Sequence, residues 1–205
     1  MNPAFAPWVE LAAFIGVCFI AEAIGSRFTH RSFWTWYLEL KRPSWAPPNW
    51  IFGPVWTLLY LMMAVAAWLV WQCSGVGNGA PAPGMWWLSS ACGDWVLFVE
   101  ASAPQWMQLG VSILSMPLVL FGVQLALNVA WSVLFFGRRR PGLALLEMIL
   151  LWVAIAATLV AFFVESPLAG ALFVPYLAWI TFAVALNFTI WRLNRRPARR
   201  AQLAD

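Results

Sequence analysis

The sequence predicts an all-α membrane protein, a bundle of five transmembrane helices with its N-terminus outside and its C-terminus in the cytoplasm. Three observations carry this. The chain of 205 residues is 63% hydrophobic and only 10% charged, against about 25% charged in a soluble domain. Its apolar residues fall into five continuous blocks, about 8–25, 51–71, 111–136, 142–164 and 168–191, each long enough to cross a bilayer as a helix. All twelve Lys and Arg lie in three segments that five crossings place on one side. A closed β-barrel is excluded because its strands are short and alternate.

The first block is a span rather than a signal peptide. Met1-Asn2-Pro3 carries no base, Glu10 comes early, and Glu22 and Arg27 stand where a small-residue cleavage site belongs. Cys18 within it reads as packing. Glu22 is either functional, as intramembrane acids are by default, or snorkels to the nearby surface. The connection about 26–50 holds the only histidine, His30, read as a loop surface residue. It ends in "RPSWAPPNW". Pro43, Pro47 and Pro48 fix their own φ and bias their predecessors toward extended backbone. A stiff, aromatic segment of this kind is a lid over the bundle's open end or a rigid connector that sets helix spacing.

The second span carries Trp56, Tyr60 and Met63 at helical spacing. After it, the long connection 72–110 begins with the turn-rich "SGVGNGAPAPG". It continues with apolar sequence broken by Gly, Asp, Glu and Pro, which suits an interfacial segment better than a sixth span. Cys73 and Cys92 fall on the outer side, where a disulfide can form, but spacing alone does not decide whether they pair.

On the third span Gln124, Asn128 and Ser132 recur every four residues and share one face. Gly122, Ala126 and Ala130 recur with the same step about 200° away and form a small-residue face suited to a homodimer contact. The polar face then points into the bundle, where it hydrogen-bonds across helices or lines a pocket. The fourth span contains Glu147, another intramembrane acid. Very short turns on either side of this span make the last three spans antiparallel neighbours. The fifth carries Tyr176, Trp179, Ala183 and Asn187 as a stripe. Such stripes are either core packing or a ligand box. Trp50, Trp71, Trp86, Trp87, Trp106 and Trp191 sit near span ends, where indoles anchor at the interface.

Orientation follows the bases. Arg27, Arg31, Lys41 and Arg42 follow the first span. Arg138, Arg139 and Arg140 follow the third. Arg192, Arg195, Arg196, Arg199 and Arg200 follow the fifth, in a basic tail 192–205 that anchors to anionic headgroups. The opposite side holds Glu10, Asp94, Glu100 and Glu165 and no base. The positive-inside rule places the basic side in the cytoplasm. Helical spans point to an inner membrane by default, with an outer membrane left open. The chain contains no CxxC, HExxH, P-loop or GxGxxG pattern, so no metal site is expected.

Three stretches together carry a resemblance: "RPSWAPPNWIFGPVWTLLYLMMAVAAWLVW", "QLALNVAWSVLFFG" and "VPYLAWITFAVALNFTIWRLN". They are similar to the TspO/MBR family of tryptophan-rich sensory and translocator proteins, across all five spans and the first loop. The resemblance implies a single membrane domain over residues 1–205, often a homodimer. It also implies a pocket under the first loop that binds tetrapyrroles such as protoporphyrin IX and haem-like pigments, or sterol-like ligands. It assigns the pocket to Trp56 and Trp179, the loop aromatics Trp36 and Tyr37 of "WTWYLEL", and Trp45, Pro47 and Pro48 behind them. Tyr60, Asn128 and Ser132 join this ligand set, and Ala183 leaves room beside Trp179. The sterol pattern of animal members wants a Tyr where this chain has Phe188, so sterol specificity is not expected.

The expected function is a membrane receptor or carrier for tetrapyrroles, acting in their regulation or in stress sensing, with no cofactor required. An alternative is a light-dependent porphyrin-degrading enzyme with Trp56 and Trp179 as its catalytic indoles. Another is a membrane scaffold or part of a lipid or sterol transporter. Expected partners are the small-molecule ligand, membrane lipids and a second copy of the chain, and no nucleic acid.

Overall fold

The computed structural model describes residues 6–73, 92 and 115–195. Five helices form it: α1 (Ala6–Phe33), α2 (Phe52–Cys73), α3 (Ser115–Ser132), α4 (Pro141–Glu165) and α5 (Pro167–Asn194). All five are long and apolar enough to cross a membrane, and there is no strand among the described residues. The protein is therefore an integral, multi-pass membrane protein.

The helices run up and down, and their ends show it. The Trp68 indole donates to the Pro7 carbonyl at 3.1 Å and the Gln72 amide to Glu10 Oε2 at 2.7 Å, which joins the end of α2 to the start of α1. At the opposite end Lys41, Arg42, Arg138 and Arg192 lie on the segments that close α1, α3 and α5. We refer to this as the basic end. Around the bundle the order is α1, α2, α5, α4, α3, and α3 packs back onto α1.

The α4–α5 connection is one residue. Ser166 donates its backbone N–H to Phe162 O at 2.8 Å, ending α4, and its hydroxyl accepts from Ala169 N at 3.3 Å, starting α5. Pro167 and Pro141 each open a helix where a missing N–H costs nothing. The helix α3 ends in a π turn, Val133–Gly137, closed by Arg138 N–H on Val133 O at 2.8 Å. Arg139 then takes a positive φ of 52°.

Several boundaries differ from the sequence reading. The first span was expected at 8–25, but α1 continues to Phe33. Hydropathy marks the hydrocarbon slab. The helix goes on because residues 26–33, "SRFTHRSF", contain no Gly or Pro to break it. His30 is thus helical, not in a loop. The other spans match within a few residues, save that 111–114 lies outside the described residues, as does nearly all of the expected connection 72–110, with Trp86, Trp87 and Trp106, and the tail beyond residue 195. Cys73 and Cys92 are joined as a disulfide, with Cα atoms 5.3 Å apart. Cys18 is fully buried in the core.

Gly170 on α5 lies flat against the Phe163 ring of α4, and an added methyl would fall inside that ring. Gly16 on α1 has open space around it. Gly170→Ala should destabilise the bundle by about 1–3 kcal/mol through overpacking. Gly16→Ala should leave stability unchanged or raise it by up to about 1 kcal/mol. Thermal unfolding of the two variants in one detergent decides this.

Candidate functional site

Near the basic end α1, α2, α3 and α5 splay around a cavity of about 250 Å³. Its walls follow helical spacing on each element. The helix α1 gives Glu22, Gly25, Ser26, Thr29, His30 and Phe33, and α2 gives Phe52, Gly53, Trp56 and Tyr60. From α3 and its π turn come Asn128, Trp131, Ser132, Phe135 and Phe136, and from α5 Trp179, Ala183, Leu186, Asn187 and Ile190. Steps of three or four residues keep each set on one face. On the π turn, adjacent Phe135 and Phe136 both line the cavity and both are buried. Widened turns of this kind recur at functional sites.

The roof is Tyr37, from the 3₁₀ turn Tyr37–Glu39. Its ring stacks on Phe33 at 5.2 Å and leans on Phe136 at 5.7 Å. The Arg42 guanidinium lies 5.5 Å over the same ring and donates to Asn49 Oδ1 at 2.9 Å. Burial pushes the Tyr37 phenol above its ordinary value of 10.0, with the Arg42 charge acting in the opposite sense.

The floor is a buried polar chain. Tyr60 donates to Asn128 Oδ1 at 2.7 Å, and Asn128 Nδ2 donates to the Tyr176 hydroxyl at 2.7 Å. Tyr176 donates to Gln124 Oε1 at 3.2 Å. This chain links α2, α3 and α5. The walls between floor and roof are aromatic. Trp56 lies 5.8 Å from Tyr60 and edge-on to Tyr176 at 6.3 Å. Trp179 meets Phe52 at 5.8 Å, and Trp131 stacks on Phe135 at 5.3 Å.

Of the residues expected at a ligand site, Tyr37, Trp56, Tyr60, Asn128, Ser132, Trp179 and Ala183 come together around this cavity. Trp36, Trp45, Pro47 and Pro48 do not line it. The chain leaving α1 first ties to α5, where Lys41 N–H donates to Asn194 Oδ1 at 3.1 Å and Asn194 Nδ2 to Lys41 O at 3.0 Å. The proline segment that follows therefore lies against α5, with Trp45 edge-on to Phe182 at 5.9 Å. Pro47 and Pro48 border a separate surface recess with Arg42 and Asn49. Trp36 packs behind the wall on Phe135 at 5.6 Å.

The small residues Gly122 and Ala126 are exposed on the outside of α3, and Ala130 is half-buried. The sequence reading did not place Trp131, Phe135, Phe136 or His30 at the site. The helical step from Asn128 would have found Trp131. The extension of α1 and the π turn left no sequence signal that points to the others.

The fold and the cavity define a class, a five-helix membrane protein with a tryptophan-walled chamber at one end. The chain belongs to the TspO/MBR family, whose model matches residues 14–192. It is 38% identical to the human translocator protein over 92% of both chains. It is also 38% identical to the tryptophan-rich protein TspO of Chlorobaculum tepidum, over 91% of this chain and 96% of that one. With a tryptophan-rich sensory protein of Cereibacter sphaeroides it shares 33% identity over 95% of this chain and 98% of that one.

Two outcomes test the floor and the roof. Tyr60→Phe and Asn128→Leu should each lower stability by about 1–2 kcal/mol, because each strands a buried polar atom. The double variant should cost less than their sum, since both break the same Tyr60–Asn128 bond. Thermal unfolding of the four proteins gives the coupling. For Tyr37 the raised phenol means that the folded state keeps its proton when the unfolded chain has lost it. Stability is then full below pH 10 and falls as pH rises beyond it. Tyr37→Phe should flatten that alkaline decline in an unfolding series across pH.

Proposed function

We propose that this chain is a membrane receptor or carrier that binds tetrapyrroles, protoporphyrin IX among them, and related flat apolar ligands in the cavity beneath Tyr37. The observation that carries the reading is the convergence of Trp56, Tyr60, Trp131 and Trp179 on one chamber at the basic end. Indole faces stack on a flat π system, and few other ligand shapes use several of them at once. The two carboxylates of such a pigment stay toward the basic end, where Arg27, Arg31, Lys41 and Arg42 are exposed. At about 250 Å³ the chamber is smaller than the ~300–1,000 Å³ of most ligand pockets. A macrocycle therefore enters edge-on and lifts the Tyr37 roof as it does.

On this reading the basic end faces the cytoplasm, by the positive-inside rule. Two copies meet through Gly122, Ala126 and Ala130, whose small side chains let helices approach closely. Trp56 and Trp179 also stand where a photoexcited pigment could exchange an electron with an indole. That second reading is separated from binding by looking for product.

Titrate protoporphyrin IX into the full chain in lipid nanodiscs, and follow tryptophan emission and pigment absorbance in the dark and in light. Saturable quenching at micromolar pigment is expected, weakened roughly tenfold in Trp56→Leu by loss of stacking. Absence of saturable quenching overturns the reading. A new absorbing product in light that vanishes in Trp56→Phe or Trp179→Phe replaces binding alone by turnover.

A further inference from the structure

We propose that the cavity contains a cation subsite at Glu22, which takes the protonated amine of a compact aromatic ligand. The inference rests on the chamber accepting small molecules but not on a tetrapyrrole occupying it. Glu22 lines the cavity on α1, one turn deeper than Ser26. Here α1 and α3 approach so closely that a methyl added at Gly25 would stand 3.1 Å from Ser132 Oγ. The carboxyl is held from one side only. Its Oε1 accepts from the Thr57 hydroxyl at 3.3 Å. Its Oε2 is buried and has no hydrogen-bond partner among the described residues.

Snorkelling does not account for this oxygen. A snorkelling carboxylate carries its oxygens out to water and headgroups, whereas Glu22 Oε2 is closed off inside the bundle. A buried polar atom without a partner is costly, and in a membrane an acid in that position is a natural counter-ion for a bound charge. The surroundings fit a cation. Trp56, Tyr60, Trp131 and Trp179 line the same chamber, and aromatic faces attract an ammonium group. A turn of the carboxyl about its soft terminal torsion brings Oε2 to the chamber, where an N–H of that group supplies the hydrogen bond it lacks, and charge-assisted bonds of this kind are the strong ones.

The other titratable groups around the chamber do not compete for this place. His30 is eight residues further along α1, about 12 Å toward the basic end. Tyr37 is the roof and Tyr60 already donates to Asn128. The chamber is thus acidic at depth and can be basic only near its mouth. Its volume of about 250 Å³ suits two fused rings with a one-carbon amine arm without any lifting of the roof.

The test uses 1-naphthylmethylamine and 1-naphthylmethanol, which have the same ring and the same number of heavy atoms. Each is titrated calorimetrically into the full chain in nanodiscs of zwitterionic lipid, with empty discs subtracted. The amine should bind roughly tenfold tighter than the alcohol. Glu22→Gln should bring the ratio to about one while leaving alcohol binding in place. Thr57→Val, which keeps the carboxylate, should preserve the preference. Equal affinities in the wild-type chain overturn the proposal without recourse to any variant, and so does a preference that survives in Glu22→Gln. Amine preference without protoporphyrin binding removes the tetrapyrrole reading and leaves this one standing. Protoporphyrin binding without amine preference does the reverse.

Discussion

The bilayer interior offers no water to a polar group, and the bundle is organised around that constraint. The chain Tyr60–Asn128–Tyr176–Gln124 is the internal answer to it. Each member sits on a helix otherwise built of apolar residues, and each satisfies the next. Such bonds are individually modest in membranes. Together they fix which faces of α2, α3 and α5 meet, and therefore where the helices can part. Above this level α1, α2, α3 and α5 separate into the aromatic chamber. Away from it α4 and α5 close on each other through Phe162, Phe173 and Gly170. The floor of the site and the fastening of the fold are the same set of side chains.

Much of this was legible in the sequence because membrane helices encode it directly. The five spans follow from continuous apolar runs. The inward face of α3 follows from Gln124, Asn128 and Ser132 one turn apart, with Gly122 and Ala126 outside. The stripes through Trp56–Tyr60 and Tyr176–Trp179 meet because both are the polar or aromatic side of otherwise greasy rods. What failed was local. His30 was read as a loop residue because hydropathy ends where hydrocarbon ends, while backbone hydrogen bonding does not. The proline-rich segment reads in the sequence as a lid or a rigid connector, because its stiffness is visible and its direction is not. That direction depends on Asn194, some 150 residues away, clasping Lys41. The π turn left no trace, since one added residue in a helical turn changes neither composition nor period enough to see.

The π turn is also where the cavity, its roof and the basic connection meet. In the widened turn adjacent Phe135 and Phe136 both line the cavity, in mutual edge contact at 4.9 Å. Tyr37 rests on both, at 6.3 and 5.7 Å. Behind them Gly137 admits the Phe28 ring, which a methyl there would meet at 3.1 Å. The roof is therefore held on the bundle largely by ring contact with residues that also face the ligand space. A flat aromatic guest offers those rings equivalent contacts. It can only shift the roof by the difference between the two sets of contacts, and between similar rings that difference is small. On the function proposed above, a roof so balanced would open for a ligand that fills the chamber and rest closed over one that fits beneath it, which would tie the size of the guest to the state of the loop above.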